Sequence, residues 1–175
     1  ILALQGADPN AVRALQQFIG QGTWKAPALV LEQHGRIAEW LGDSQGIVII
    51  DGSGFPKQGG DSVGVARQYC GHLGKVANCQ EGVFLVYGSP RGYAFLDCRL
   101  YVHADWFAED HRERWQKCGI PKDLHFHTEP ELATEMLQGL VVRDVIPFRW
   151  VACDEHFGQN PAFLDSVATL DKWYF

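Results

Sequence analysis

Apolar residues recur along this chain at two different spacings, and the change between them divides it. Val12, Leu15, Phe18 and Ile19 keep the three-to-four spacing of one helix face. They follow Asp8-Pro9, an N-cap with proline at the first helical position, and Gly20 ends the run. Leu29, Val30, Ile37 and Trp40 predict a second helix over 27–41 with these four side chains inward. From residue 47 the spacing changes: four β-branched residues, IVII, run into Asp51, as in a buried strand. Residues 52–62 are too rich in glycine to predict regular structure. Strands are predicted over 62–70, 82–87 and 93–102, with the polar stretch 71–81 as a connection and residues 89–92 as a hairpin turn. Residues 104–123 read as partly helical. Thr128 and Glu131 form a capping box, opening a helix to about Leu140 that buries Leu132, Met136, Leu137 and Leu140. A strand over 148–154 ends in a second aspartate, Asp154. Asn160-Pro161 opens a helix with Phe163, Leu164, Val167 and Leu170 inward, and 173–175 begin a further strand. Strands close together early predict an antiparallel meander. Strand–helix–strand steps later predict a mixed sheet covered by helices, an α/β fold.

Composition narrows the picture. With 46% apolar and 21% charged residues in 175, the chain can bury a core and is not of the disordered class. It amounts to one ordinary domain, or one domain plus a short appendage, divided into a helical segment over 1–45 and the sheet-bearing part over 46–175. No apolar run reaches membrane-span length, and no signal peptide opens the chain. Cys70, Cys79, Cys98, Cys118 and Cys153 are odd in number and irregularly spaced, with no CxxC. That pattern predicts reduced thiols and a cytoplasmic location. The formal charge of −6 argues against strong non-specific nucleic-acid binding by this segment alone. Ile1 at the start and the apolar Lys172–Phe175 at the end predict a fragment cut at both ends.

Asp51 and Asp154 each terminate an apolar strand, and ligand sites of such sheets form beyond the carboxyl ends of strands. Two carboxylates side by side repel unless a proton or a cation lies between them, and hard oxygen ligands suit Mg²⁺. The alternative is that each aspartate caps a following turn or helix. Lys57, Arg67, Lys75, Arg91 and Arg99 are the nearby basic residues, read singly as solvated charge. His125 and His127 would share one face of a strand as a candidate metal pair, without a visible third ligand. His156 reads as a turn residue. Asp97 is read as structural, with Arg99 on its face as partner. The tryptophans, including Trp24, read as core or interface residues. An apolar strand running into Asp also matches haloacid-dehalogenase phosphatases in part, but their second aspartate falls on Ser53.

The stretch from IVIIDGSGFPKQGG to FLDCRLY, the later RWVACDEHFGQNPAFL, and the upstream Leu15–Phe18 segment with Trp24 resemble the 701-type insertion-sequence transposases, a family of DDE transposases. The resemblance covers nearly the whole chain. It implies an RNase H-like mixed sheet flanked by helices, incomplete at its C-terminus, in which Asp51 and Asp154 are neighbours and serve as the first two catalytic and metal-binding acids. It implies Mg²⁺ or Mn²⁺ as cofactor, and DNA (transposon ends and target) as partner, with Lys57 of the FPKQG motif near DNA phosphate; among the other basic residues Arg67 is the further candidate for a phosphate contact. It further implies no membrane, and a homodimer for the full-length protein. The family's third acid, a glutamate, matches none of Glu155, Asp165 and Asp171, and Glu129 stands where a lysine is frequent. The expectation is therefore a partial catalytic domain that does not cleave DNA efficiently by itself. The alternatives are a non-catalytic remnant that only folds or binds partners and, as a minor one, a dehalogenase-like phosphatase.

Overall fold

The structure, a computed structural model, describes residues 9–23 and 25–175; the Asp8 cap and Trp24 lie outside them. Two helices come first, α1 (Pro9–Gln21) and α2 (Ala26–Leu41). Then follow β1 (Ile47–Pro56), β2 (Ala66–Cys70), β3 (Lys75–Ser89) and β4 (Gly92–Tyr101). Two short 3₁₀ segments lead into α3 (Arg112–Cys118). After them come α4 (Glu129–Arg143), β5 (Trp150–Cys153), α5 (Glu155–Gly158), α6 (Pro161–Thr169) and β6 (Trp173–Tyr174). The six strands form one mixed sheet in the order β2-β3-β1-β5-β6, with β4 also paired to β3. The early strands pair antiparallel, whereas β1–β5 and β5–β6 are parallel. Meander first and crossover later is the order that the hydrophobic spacing predicts.

One sheet face carries the core. Val48, Ile50, Val83, Leu85 and Val151 pack with Leu132, Met136, Leu137 and Leu140 of α4 and Phe163 and Val167 of α6. Along β1 the alternation is plain: Val48, Ile50 and Gly54 are buried, while Ile49, Asp51, Ser53 and Phe55 are exposed. The capping box of α4 is present, with Thr128 accepting from the Glu131 amide and Glu131 reaching back to the Thr128 amide. Leu164 of α6 and Leu170, its C-cap, are only partly buried.

Four expectations are corrected. Residues 52–56 are strand, not loop: Gly52 pairs with Val83, Gly54 with Glu81 and Pro56 with Cys79. The glycines are there because other side chains approach the strand closely, not because it turns. The polar stretch 71–81 is mostly β3, which begins at Lys75 after a 3₁₀ turn closed by Gly74 at φ +62°. The strand predicted over 62–70 begins only at Ala66, because Gly64 sits at φ +77°. The inward helix faces also differ. On α2 the buried residues are His34 and Ile37, while Trp40 is 65% exposed and Leu29 is also exposed. A histidine in the stripe shifted the true face. Its Nε2 donates to the Leu96 carbonyl at 3.0 Å, tying α2 to β4. On α1 the apolar face exists, but Val12, Leu15, Phe18 and Ile19 are all exposed.

Candidate active site

Two adjacent parallel strands build the site. The β1–β5 register runs from Ile47 opposite Trp150 to Ile50 opposite Cys153. The next residues on each strand are Asp51 and Asp154. Here the strands diverge: β1 continues, while the chain leaves β5 at Asp154 and turns into α5. Asp154 is the N-cap of that helix, its Oδ1 accepting from the Phe157 amide at 3.3 Å. The capping alternative thus holds for Asp154 and is compatible with its place beside Asp51. Both line one cleft of about 690 Å³ with Gly52, Gly54, Tyr69, His72, Glu81, Glu129, His156 and others.

Sequence reading missed two carboxylates in this cleft. Glu81 stands opposite Gly54 on β3, on the side of the sheet that buries Val83 and Leu85. Glu129 is the first residue of α4. Both reach the space over Gly52: a Cβ there would lie 3.2 Å from Glu81 Oε1 and 3.5 Å from Glu129 Oε2. A Cβ on Gly54 would lie 2.9 Å from both Glu81 Oε2 and Cys70 Sγ. The glycines of the DGSG stretch therefore make room for acids. Glu81 did carry a signal: a charge at the alternate position of NCQEGVFLVY that otherwise reads Val83, Leu85, Tyr87, which is the buried face.

The electrostatics follow from crowding. Burial, then the charges of Glu129 and Asp51, push the Glu81 carboxyl up to about 7. Glu129 is also raised, chiefly by burial; His156, 3.5 Å from its Oε2, offsets this while Asp154 adds to it. The unfolded chain releases the Glu81 proton near the ordinary 4.5 and the folded chain near 7. Between those values the folded state holds more protons, so stability falls as pH rises through the window. Below it both states are protonated and the effect vanishes. In EDTA, Glu81→Gln should thus stabilise the protein by about 1–2 kcal/mol at about pH 8, discounting for solvent in the cleft, and not at about pH 4. Urea titrations at the two pH values measure this, and an equal effect at both would show that the carboxyl ionises without cost.

The donors suit a hard divalent cation in kind. Glu81 Oε2 is buried without a hydrogen-bond partner, and the space over Gly52 is one that a Cβ would fill. Among the described residues no group of three or more His, Cys, Asp or Glu side chains is drawn together to hold a metal. Other candidates fall elsewhere. Lys57 and Arg67 are exposed, and neither lines the cleft, although Gln68 beside Arg67 does. His125 and His127 lie in a loop, not a strand, and His127 pairs with Glu135 at 3.3 Å. His156 belongs to α5 rather than a turn. Asp97 does pair with Arg99, at 2.6 Å.

The six-stranded mixed sheet flanked by helices is consistent with an RNase H-like domain. No helix among the described residues is long and apolar enough to cross a membrane. No curated protein and no solved structure matches the chain. A family model described as DDE superfamily endonuclease matches residues 2–172. A match of that extent decides the kinship: the chain belongs to the DDE superfamily of endonucleases.

Proposed function

We propose that this chain is the catalytic-domain portion of a 701-type insertion-sequence DDE transposase, which cleaves DNA strands and transfers them to a target. The observation that carries the reading is the parallel register, Ile50 opposite Cys153, that leaves Asp51 and Asp154 as the next pair at the strand ends. Enzymes of the superfamily generally use divalent metals, and here Asp51 and Asp154 would hold Mg²⁺ or Mn²⁺. When bound, such ions activate the attacking oxygen and stabilise the leaving one in phosphodiester chemistry. The protein's own part is positioning and charge. Asp51 projects from the exposed side of β1, where a DNA strand can approach. Asp154 is fixed by its bond to the Phe157 amide. First water and then a DNA 3′-hydroxyl would attack in line. Lys57 and Arg67 would contact phosphates outside the cleft, and the full-length protein would act as a homodimer on the transposon ends.

The test uses the protein that contains this chain with a labelled duplex carrying the ends of its element. Mn²⁺- or Mg²⁺-dependent nicking that leaves 3′-hydroxyl ends is expected, and p-nitrophenyl phosphate should not be turned over. Phosphatase turnover without nicking would sink the reading. The phosphate contacts are tested separately. Lys57→Ala and Arg67→Ala should each weaken binding alike on all sequences and lower the slope of log K against log salt by about 1. An unchanged slope would remove that residue from the DNA path.

A further inference from the structure

We propose that the exposed face of β2, with Lys57 beside it, is a track that leads a DNA strand into the cleft, and that Tyr69 on this track is the ring on which a base next to the cleaved phosphate stacks. The proposal rests on the reading of the cleft as a site of DNA cleavage, and it adds a base contact to the phosphate contacts of Lys57 and Arg67.

The register brings these residues together. Arg67 pairs with Asn78, and Tyr69 with Val76, across β2 and β3. Lys57 stands on the other side of Asn78. Its amide donates to the Asn78 carbonyl at 2.9 Å, and Asn78 Nδ2 donates to the Lys57 and Gly59 carbonyls, each at 2.9 Å. Side chains alternate along each strand, and Asp51 pairs with Phe84 of β3. Lys57, Arg67 and Tyr69 therefore share the face of the sheet from which Asp51 projects. Lys57 and Arg67 stand two strand spacings apart, about 10 Å, and Tyr69 follows Arg67 by about 7 Å. One DNA strand carries a charge about every 3.4 Å, so the three contacts fall within a few nucleotides. The track ends at the cleft, which Tyr69 and His72 line together with Asp51 and Asp154. Gly54 holds that end in place. A Cβ there would lie 2.9 Å from Cys70 Sγ and 3.2 Å from Cys70 Cα, so glycine lets the end of β2 close over β1, three residues beyond Asp51.

The fold leaves all three side chains unspent. Tyr69 is 64% exposed. Among the described residues, neither it nor Arg67 nor Lys57 has a side-chain hydrogen bond, ion pair or ring partner, although the chain carries 21 acids against 15 Lys and Arg. Asp51, Glu81, Glu129 and Asp154 make the cleft itself acidic, so it repels phosphate and a strand must draw its attraction from the wall beside it. Cations in line with an open aromatic ring do this: the cations follow the backbone, and the ring takes the face of a base whatever its identity.

The probe is the labelled duplex carrying the ends of the element, with the protein that contains this chain. 5-Iodouracil replaces one base at a time within about three nucleotides of the cleaved phosphate. Ultraviolet light joins that base to an aromatic ring stacked on it, so in EDTA a crosslink to Tyr69 is expected, mapped by mass spectrometry. In Mn²⁺, Tyr69→Ala should slow nicking of subsaturating duplex about tenfold, the loss of one stacked base. Tyr69→Phe keeps the ring and should nick within twofold of wild type. So should Tyr93→Ala, which removes an even more exposed ring at the β3–β4 hairpin. Tyr69 carries no charge, so Tyr69→Ala should leave the slope of log K against log salt unchanged. Tyr69→Ala that nicks within twofold of wild type, Tyr69→Phe as slow as Tyr69→Ala, or crosslinks that map elsewhere would overturn the track and leave cleavage at Asp51 and Asp154 standing. Wild type that does not nick would overturn the cleavage reading and this proposal with it.

Discussion

Asp51→Asn should lower metal-dependent strand cleavage by about 10³-fold or more, roughly 4 kcal/mol of transition-state stabilisation, while the protein stays folded. The second half of that expectation comes from the structure. Asp51 is exposed, and no hydrogen bond or ion pair to another described residue holds its carboxylate, so the amide loses charge and little else. Asp154 needs a finer experiment, because its Oδ1 also caps α5. Asparagine is as good an N-cap as aspartate, whereas alanine forfeits about 0.5–2 kcal/mol. Asp154→Asn should therefore abolish cleavage with the melting temperature held, and Asp154→Ala should lower both. Cleavage assays and thermal melts on the three proteins separate the roles. Retained cleavage in Asp154→Asn would reduce Asp154 to a helix cap.

What was legible in the sequence was legible for local reasons. Asp51 and Asp154 each follow an uninterrupted apolar strand, and α4 announces itself with Thr128 and Glu131, so these needed no tertiary context. The misreadings share one cause: composition was read where contact decided. Gly52 and Gly54 look like loop residues until Glu81, Glu129 and Cys70 are seen over them. Glu81 looks like a surface charge until the register with Gly54 turns it inward. His34 is polar and so falls outside any apolar stripe, yet it is fully buried against the Leu96 carbonyl while Trp40 faces out. Adjacency of the two aspartates is different again. It depends on β1 and β5 being parallel neighbours, about a hundred residues apart in sequence, and spacing alone does not encode that.

Gly46→Ala should be strongly damaging, and for a reason that ties stability to the site. Gly46 lies just before β1, and its carbonyl accepts from the amides of Arg149 and Trp150 at 2.9 and 3.2 Å. Those two bonds start the β1–β5 register that ends in Asp51 and Asp154. A Cβ at Gly46 would lie 2.2 Å from the Tyr87 hydroxyl oxygen and 2.7 Å from Cζ. The ring cannot step aside. Tyr87 is fully buried, and its hydroxyl accepts from the Asp43 amide at 2.9 Å and donates to the Pro147 carbonyl at 2.9 Å. Overpacking plus disrupted buried hydrogen bonds should cost about 3–5 kcal/mol, or roughly 10–15 °C in Tm for a chain of this size. Cleavage should fall with it, as the strand ends lose their register. Tyr87→Phe removes the atom that the new methyl strikes first, at its own cost of about 1–3 kcal/mol for the partners left unpaired. If the clash with Tyr87 is the mechanism, the double variant should be less destabilised than the sum of the singles by about 1 kcal/mol or more. Denaturant melts of the four proteins read that difference directly. Strict additivity would mean that alanine harms the chain through its backbone at Gly46, and that Tyr87 does not fix the register.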